Sequence, residues 1–435
     1  MQDFSGSLHA YVLVSNAGKC TRLPLSSPAT IPTTVDRQTL NTAYHVTIPA
    51  NLIQPGNEVS VVFDDDQGRT ANEADKTYRV FRLPVRSSIT ETIRVIPITY
   101  KGQNGFVSSN TGLASFMVRL LPITAFTLTT EAAFAPPSLN QSVLGLLGTG
   151  QESFVTMQAV LSELDDECAR RNGSQSSART APKCLGVFPN NLTFRTATGQ
   201  VVGIAYVGGV SMLTQSVSAT DVFSQLSPYG TSHWLDFRAL TVAHEYGHLM
   251  NLNHAGCGGP TDTDPRLYPD GRLGGGSGYD TAREFYFSSQ RLNNSGQPQF
   301  GDLMSYCTKE WSSDRSYLAA LGYRSGASAR VETNSTVGRS QWLKISLQGE
   351  RWSLRPVDFT PSTLRVTEAT LNASSSQGVT SLPVYAAVIA DAPELTHGPF
   401  YVDLGDLNPQ SLSLHGLESL LDKTIQWSAQ EWIKR

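Results

Sequence analysis

The chain has little charge. Lysine, arginine, aspartate and glutamate together make up 16% of its 435 residues, and the net charge is only -4. No basic stripe or Lys/Arg cluster interrupts this evenness, which argues against nucleic acid as a partner. Long apolar runs are missing too. No stretch approaches the roughly 20 uninterrupted apolar residues that a membrane helix requires, so no transmembrane segment is expected. The opening MQDFSGSLHA has no apolar core segment, so the protein is either cytoplasmic or has had a signal removed. Cysteines are few, at five, and none forms a CxxC pair, which argues against zinc-thiolate ligation. Internal repeats and low-complexity tracts are also lacking.

What is present is 40% apolar residues, enough for real cores, with many Gly, Ser, Thr and Pro, as in β-rich, loop-rich secreted proteins. The length calls for two or three domains. Residues 1–90 read as strands. HVTIPANLIQPGNEVSVVFDDD holds two β-like runs around a Pro-Gly turn, KTYRVFRLPV adds another, and a small β-sandwich is expected. DDDQG (64–68) is a turn rather than a calcium loop, because the full ligand set is missing.

A second region, 91–325, opens on the strand TIRVIPITY (92–100). In 152–171 the residues Phe154, Met157, Leu161, Leu164 and Cys168 recur at spacings of three and four, giving a helix with one apolar stripe. LGVF (185–188) and GQVVGIAYVGG (199–209) read as strands, and DFRALTVAHEYGHLMN (236–251) as a helix capped by Asp236. Residues 326–435 return to strands, with a hairpin in SQWLKISLQGERWSLRPV and a further strand in SLPVYAAVIA. The fold class is therefore α+β, a mixed central region flanked by β-rich ones.

Within the second helix lies HEYGHLMNLNH (244–254). His244 and His248, four apart, project from one helical face and can share one zinc ion. Glu245 between them is the expected general base. An HExxH pattern arises by chance in roughly one chain in a hundred of this size, and a histidine at one further specified position cuts that about fiftyfold. His254 supplies that histidine.

These residues resemble the metzincin clan of zinc proteases, whose pattern HExxHxxGxxH they match everywhere except the glycine, here Asn251. DLMSYC (302–307), whose Met304 follows His254 after 49 residues (255–303), resembles the clan's Met-turn. CGGPTDTDP…YPDG…GYD is similar to secreted bacterial metzincins with β-sandwich domains, relatives of the mucin-cleaving metalloproteases. The resemblance spans roughly residues 92–325. It implies a metzincin-like catalytic domain: a twisted mixed sheet, a backing helix and a zinc helix. It further implies His244, His248 and His254 as ligands of one Zn2+, Met304 as the floor beneath them, and Tyr306 as a hydroxyl near the metal or oxyanion. The expected activity is secreted zinc endopeptidase, with a zinc-activated water, Glu245 as base and an extended substrate pairing along GIAYVGG (203–209). The partner is then a protein or glycoprotein substrate, met by a monomeric enzyme. The alternatives are a glycoprotein- or mucin-specific protease, or a glycan- or surface-binding protein on an inactive metzincin scaffold.

Three expectations concern details. Cys168 and Cys184 bracket a polar loop that a bridge would staple, and Cys257 and Cys307 each lie three residues past a site position, so they could pair as well; five unconnected thiols are the alternative. An oxidising compartment, with Cys20 left over, is favoured. Asp262, Asp264, Asp270 and Asp280 read as turn-forming residues, with structural Ca2+ the alternative. Asn251 is expected at positive φ, which asparagine tolerates best after glycine.

Overall fold

The computed structural model describes residues 8–16, 18–28, 43–65, 79–82, 89–140, 151–173, 179–195, 200–218, 237–260, 262–274, 277–280, 285–288, 300–306, 310–325, 342–348, 351–357, 364–389, 399–405, 407, 409–415 and 425–428. Two compact units result: Met1–Ile89 with Ser277–Arg291, and Thr90–Gly276 with Leu292–Arg435.

The first unit holds an antiparallel four-stranded sheet of β1 (Leu8–Asn16), β2 (Lys19–Pro24), β3 (Glu58–Asp65) and β4 (Arg79–Arg82), in the order β2-β1-β3-β4. Val12, Val14 and Val59 alternate onto its buried face, the two-residue period of a half-buried sheet. HVTIP forms no strand, contrary to expectation. Only His45 bridges, to Ser26, and Ala50–Leu52 turn as a 3-10 helix. Pro49 has no N–H to give a ladder, and the chain turns directly after it. Asp64 and Asp65 end β3, while the rest of DDDQG lies outside the described residues.

The second unit is built on a five-stranded sheet. Its strands are β5 (Thr90–Pro97), β6 (Ala125–Thr130), β7 (Lys183–Phe188), β8 (Gly203–Ala205) and β9 (Ser211–Gln215). Their order is β8-β9-β7-β5-β6, and all are parallel except the edge strand β8, which is antiparallel to β9. Parallel strands are covered on both faces, and β7 (KCLGVF) is accordingly buried at every position. Helix α1 (Asn110–Leu120) joins β5 to β6. Helix α2 (Phe154–Asn172) backs the sheet, capped by Ser153, whose hydroxyl accepts from the Thr156 amide. Its expected stripe is in place, with Met157, Leu161, Leu164 and Cys168 fully buried and Phe154 packed against them. Helix α3 (Phe237–Leu249) carries the histidines, and α4 (Asp314–Arg324) follows them. Asp236 lies outside the described residues.

GQVVGIAYVGG is not one strand. Gln200–Val201 pair in a separate small sheet, β8 covers only Gly203–Ala205, and Gly208 turns at φ 70. Gly208 allows the chain to change direction at the far end of the run, while the change of sheet falls between Val201 and Gly203.

The C-terminal strands belong to the same unit. These are β10 (Trp342–Gln348), β11 (Arg351–Val357), β12 (Leu364–Ser375), β13 (Gly378–Ala387), β14 (Phe400–Asp403), β15 (Ser411–His415) and β16 (Ile425–Ser428). They form one antiparallel sheet ordered β11-β10-β14-β13-β12-β15-β16, with the expected hairpin as β10–β11. Trp342, Val357, Ala387, Ile389 and Tyr401 share a core with α2 and with Ile204, Tyr206 and Leu213. Helix α2 is therefore buried on more than its apolar stripe. Asp165 and Asp166 face the C-terminal sheet, where Lys344 Nζ lies 2.5 and 2.7 Å from their carboxylates and Arg355 lies 2.6 Å from Asp166.

Candidate metal centre

Helix α3 brings His244 and His248 onto one face, and its C-terminal turn delivers the third imidazole. Asn251 sits at φ 63, the left-handed conformation expected of it. Its amide donates to the His248 carbonyl (2.8 Å), and the Leu252 amide donates to Gly247 (3.3 Å). That pair of bonds is a Schellman closure of the helix. The turn also serves the site directly, because the Leu252 carbonyl it exposes accepts from His248 Nδ1 at 2.7 Å.

Each of the other two rings has a similar partner. His244 Nδ1 donates to the Leu303 carbonyl at 2.7 Å, and His254 Nδ1 lies 2.5 Å from Asp262 Oδ1. With the three Nδ1 positions committed as donors, the three Nε2 atoms present lone pairs. These lone pairs converge. His244 Nε2 lies 3.1 Å from His248 Nε2 and 3.3 Å from His254 Nε2. Zinc–nitrogen bonds of about 2.0–2.1 Å in tetrahedral geometry would separate such atoms by about 3.3–3.4 Å. Burial, and then the neighbouring His254 imidazole, push His244 down to about 3 and hold His248 well below the usual histidine value, favouring neutral rings. Neutral imidazoles pointing lone pairs at one another need a cation between them, and the residues fit zinc.

The surroundings are tight. Met304 is fully buried beneath α3, where a Cβ on Gly247 would come within 2.4 Å of its sulfur. Its carbonyl accepts from Ala255, tying this turn to the residue after His254. Glu245 is buried with its carboxylate against β8, and a Cβ on Gly203 would approach Oε1 to 2.2 Å. Tyr306 is the accessible member, 44% exposed, its ring 4.7 Å from that of His254 and 6.1 Å from that of His244.

Two residues that matter here were not legible as such. Asp262 was expected to form a turn, yet it orients His254. Asp302, fully buried, accepts from the Met304 amide (2.8 Å), the Ser316 hydroxyl and the Ser313 amide, and so fixes the turn that carries Met304 and the Leu303 carbonyl. Both roles depend on how the loops fold back rather than on any helical or strand spacing. The neighbouring aspartates are engaged by arginines: Asp264 with Arg266, and Asp270 with Arg272. Asp280 ends a short strand, Ser277–Asp280. Among the described residues the three histidines form the one cluster suited to a metal.

Cys168 and Cys184 form the expected disulfide, stapling α2 to β7. Cys257 is disulfide-bonded as well, Cys20 is free, and Cys307 lies outside the described residues. No described helix is long and apolar enough to cross a membrane.

Comparison with known proteins places the same region. Residues 158–255 match the M12B reprolysin-like metallopeptidase family. Among solved structures, a zinc-dependent peptidase from Methanocorpusculum labreanum is 17% identical, with 41% of this chain and 91% of that one covered at a TM-score of 0.25. A catalytically inactive OgpA from Akkermansia muciniphila, in complex with an O-glycopeptide, is 10% identical, with 80% and 94% covered at a TM-score of 0.26. No curated protein matches. The family match ends one residue beyond His254, on the segment whose imidazoles converge, and the two together support a metzincin-type zinc metalloprotease.

Proposed function

We propose that the protein is a secreted endopeptidase that cuts extended protein or glycoprotein chains, with His244, His248 and His254 holding one zinc ion. The observation that carries this reading is the convergence of three Nε2 lone pairs beside the buried Glu245. When bound, zinc supplies Lewis acidity, making water acidic enough to yield hydroxide near neutral pH and polarising a carbonyl. Glu245, its carboxylate against Gly203, takes the proton from the attacking water and returns it to the leaving amine. Met304 serves as the apolar floor of a Met-turn. Tyr306, exposed beside two of the rings, offers its phenol to the developing oxyanion. Secretion is supported by the disulfide chemistry of Cys168, Cys184 and Cys257, which suits an oxidising compartment. As functional divisions we propose residues 1–90, 91–325 and 326–435, the middle one catalytic.

Glu245→Gln tests the mechanism. It should lower kcat on an unfolded protein substrate by about 10²–10⁴-fold, the usual worth of a positioned acid/base. Zinc content, measured by mass spectrometry, should stay at one per chain. A Glu245→Gln enzyme as fast as wild type would falsify the assignment.

A further inference from the structure

The edge strand β8, along which a substrate would pair, is already partly occupied by the chain's own C-terminal sheet. The Val207 amide donates to the Val388 carbonyl at 3.0 Å, and Tyr206 bridges antiparallel to Ile389. One residue later the Gly208 amide donates to the His248 carbonyl (2.8 Å), turning the chain onto the end of the zinc helix.

Parity along the strand says what is left. Tyr206 donates inward to Ser211 on β9, so Ile204 also points its backbone groups inward, while Gly203, Ala205 and Val207 point theirs outward. Val207 is the outward residue that Val388 takes. On β8 itself the outward residues are then Gly203 and Ala205, and Gly203 is the one against which the Glu245 carboxylate lies. Gly203 therefore marks the position of the scissile bond. From there to Tyr206 the strand runs three residues, about 10 Å.

The blocking segment is firmly held. Ile389 and Ala387 are buried in the core shared with α2, Ile204 and Tyr206. The fully buried Lys344 is clamped between Asp165 and Asp166 of α2, and Arg355 pairs with Asp166. A segment anchored in this way does not yield to an incoming peptide strand.

We infer that Val388–Ile389 are specificity-determining: they end β-pairing of the substrate within about two residues of the scissile bond on the Tyr206 side. The substrate class is a peptide whose backbone is recognised over only a short stretch on that side of the cut. This rests on the endopeptidase reading above.

The test uses the intact zinc-loaded enzyme and a peptide that it cleaves, chosen from a randomised library by mass spectrometry. Two series lengthen that peptide one residue at a time, on either side of the cut, and a third N-methylates each backbone amide. On one side kcat/KM should stop rising after about two residues, and N-methylation further out should change it less than twofold. Within those two, each added hydrogen-bonding residue should raise kcat/KM by roughly 2- to 10-fold. Equal gains on both sides out to four residues would overturn the inference and leave the endopeptidase standing. Failure to cleave any library member would instead overturn the endopeptidase reading, and this inference with it.

Discussion

Two buried polar clusters lie in the second unit, and they are completed in opposite ways. At the C-terminal sheet, Lys344 meets Asp165 and Asp166, and Ser211 donates to Asp165 at 2.9 Å. Opposite charges and hydrogen bonds close that cluster within the chain. At the end of α3, three imidazoles spend their donors on Leu303, Leu252 and Asp262 and turn only lone pairs toward each other. Burying polar groups is costly unless they are paired. The first cluster therefore works as a fastener. The second is satisfied only by a cation, which is what distinguishes a metal site from a buried ion pair of similar burial.

The comparison can be broken at the fastener first, where the largest change is expected. Lys344→Met leaves two buried carboxylates short of their cation, and breaking a buried pair in this way costs about 3–5 kcal/mol. Thermal unfolding of the zinc-loaded protein should show it, and an unchanged melting temperature would mean that the cluster holds nothing together. The metal site is sharpened by Asp262→Asn. Asparagine can still accept from His254 but brings no charge, and losses of about 10–100-fold in metal affinity or activity are typical of such changes. A competitive chelator titration reads this directly, with the melting temperature of the zinc-free protein staying near wild type.

A third buried group falls between the two cases and gives the most gradual effect, spread over several pH units. Lys183 is pushed down to about 7 by burial, despite the nearby Glu91, which Arg324 also pairs. Its folded value lies below the usual lysine value near 10.4, so the unfolded chain binds more protons between pH 7 and 10.4. Stability should therefore rise with pH across that window, by at most about 1.4 kcal/mol per pH unit. Denaturant unfolding at several pH values should show the slope in wild type and lose it in Lys183→Met. A slope that persists in the variant would assign the effect elsewhere.

Much of the site could be read along the chain because its parts are local. His244, Glu245 and His248 are related by helical spacing, and Asn251 by the conformation needed to leave the helix, found at φ 63. The stripe of α2 and the β10–β11 hairpin were legible for the same reason, since periodicity survives into packing. The misses are all non-local or lie beside proline and glycine. HVTIP looked like a strand but pairs only at His45, ahead of Pro49, and GQVVGIAYVGG looked continuous although it changes sheets after Val201 and turns at Gly208. Asp262 and Asp302 looked like loop residues because their partners, His254, Ser313 and Ser316, are chosen by the folded chain.

By itself the sequence determined the chemistry: which side chains can bind zinc, which carboxylate lies beside them, and where the helix carrying them must stop. Covalent spacing on a helix is fixed at 3.6 residues per turn, so those relations hold wherever the helix is placed. Only the tertiary structure decided what surrounds them. It brought the Leu303 carbonyl and Asp262 to the rings, set Gly203 against Glu245, and laid Val388 along the edge strand. Those contacts join residues far apart in sequence, and their partners are selected by burial and hydrogen-bond satisfaction over the whole unit rather than by any local pattern.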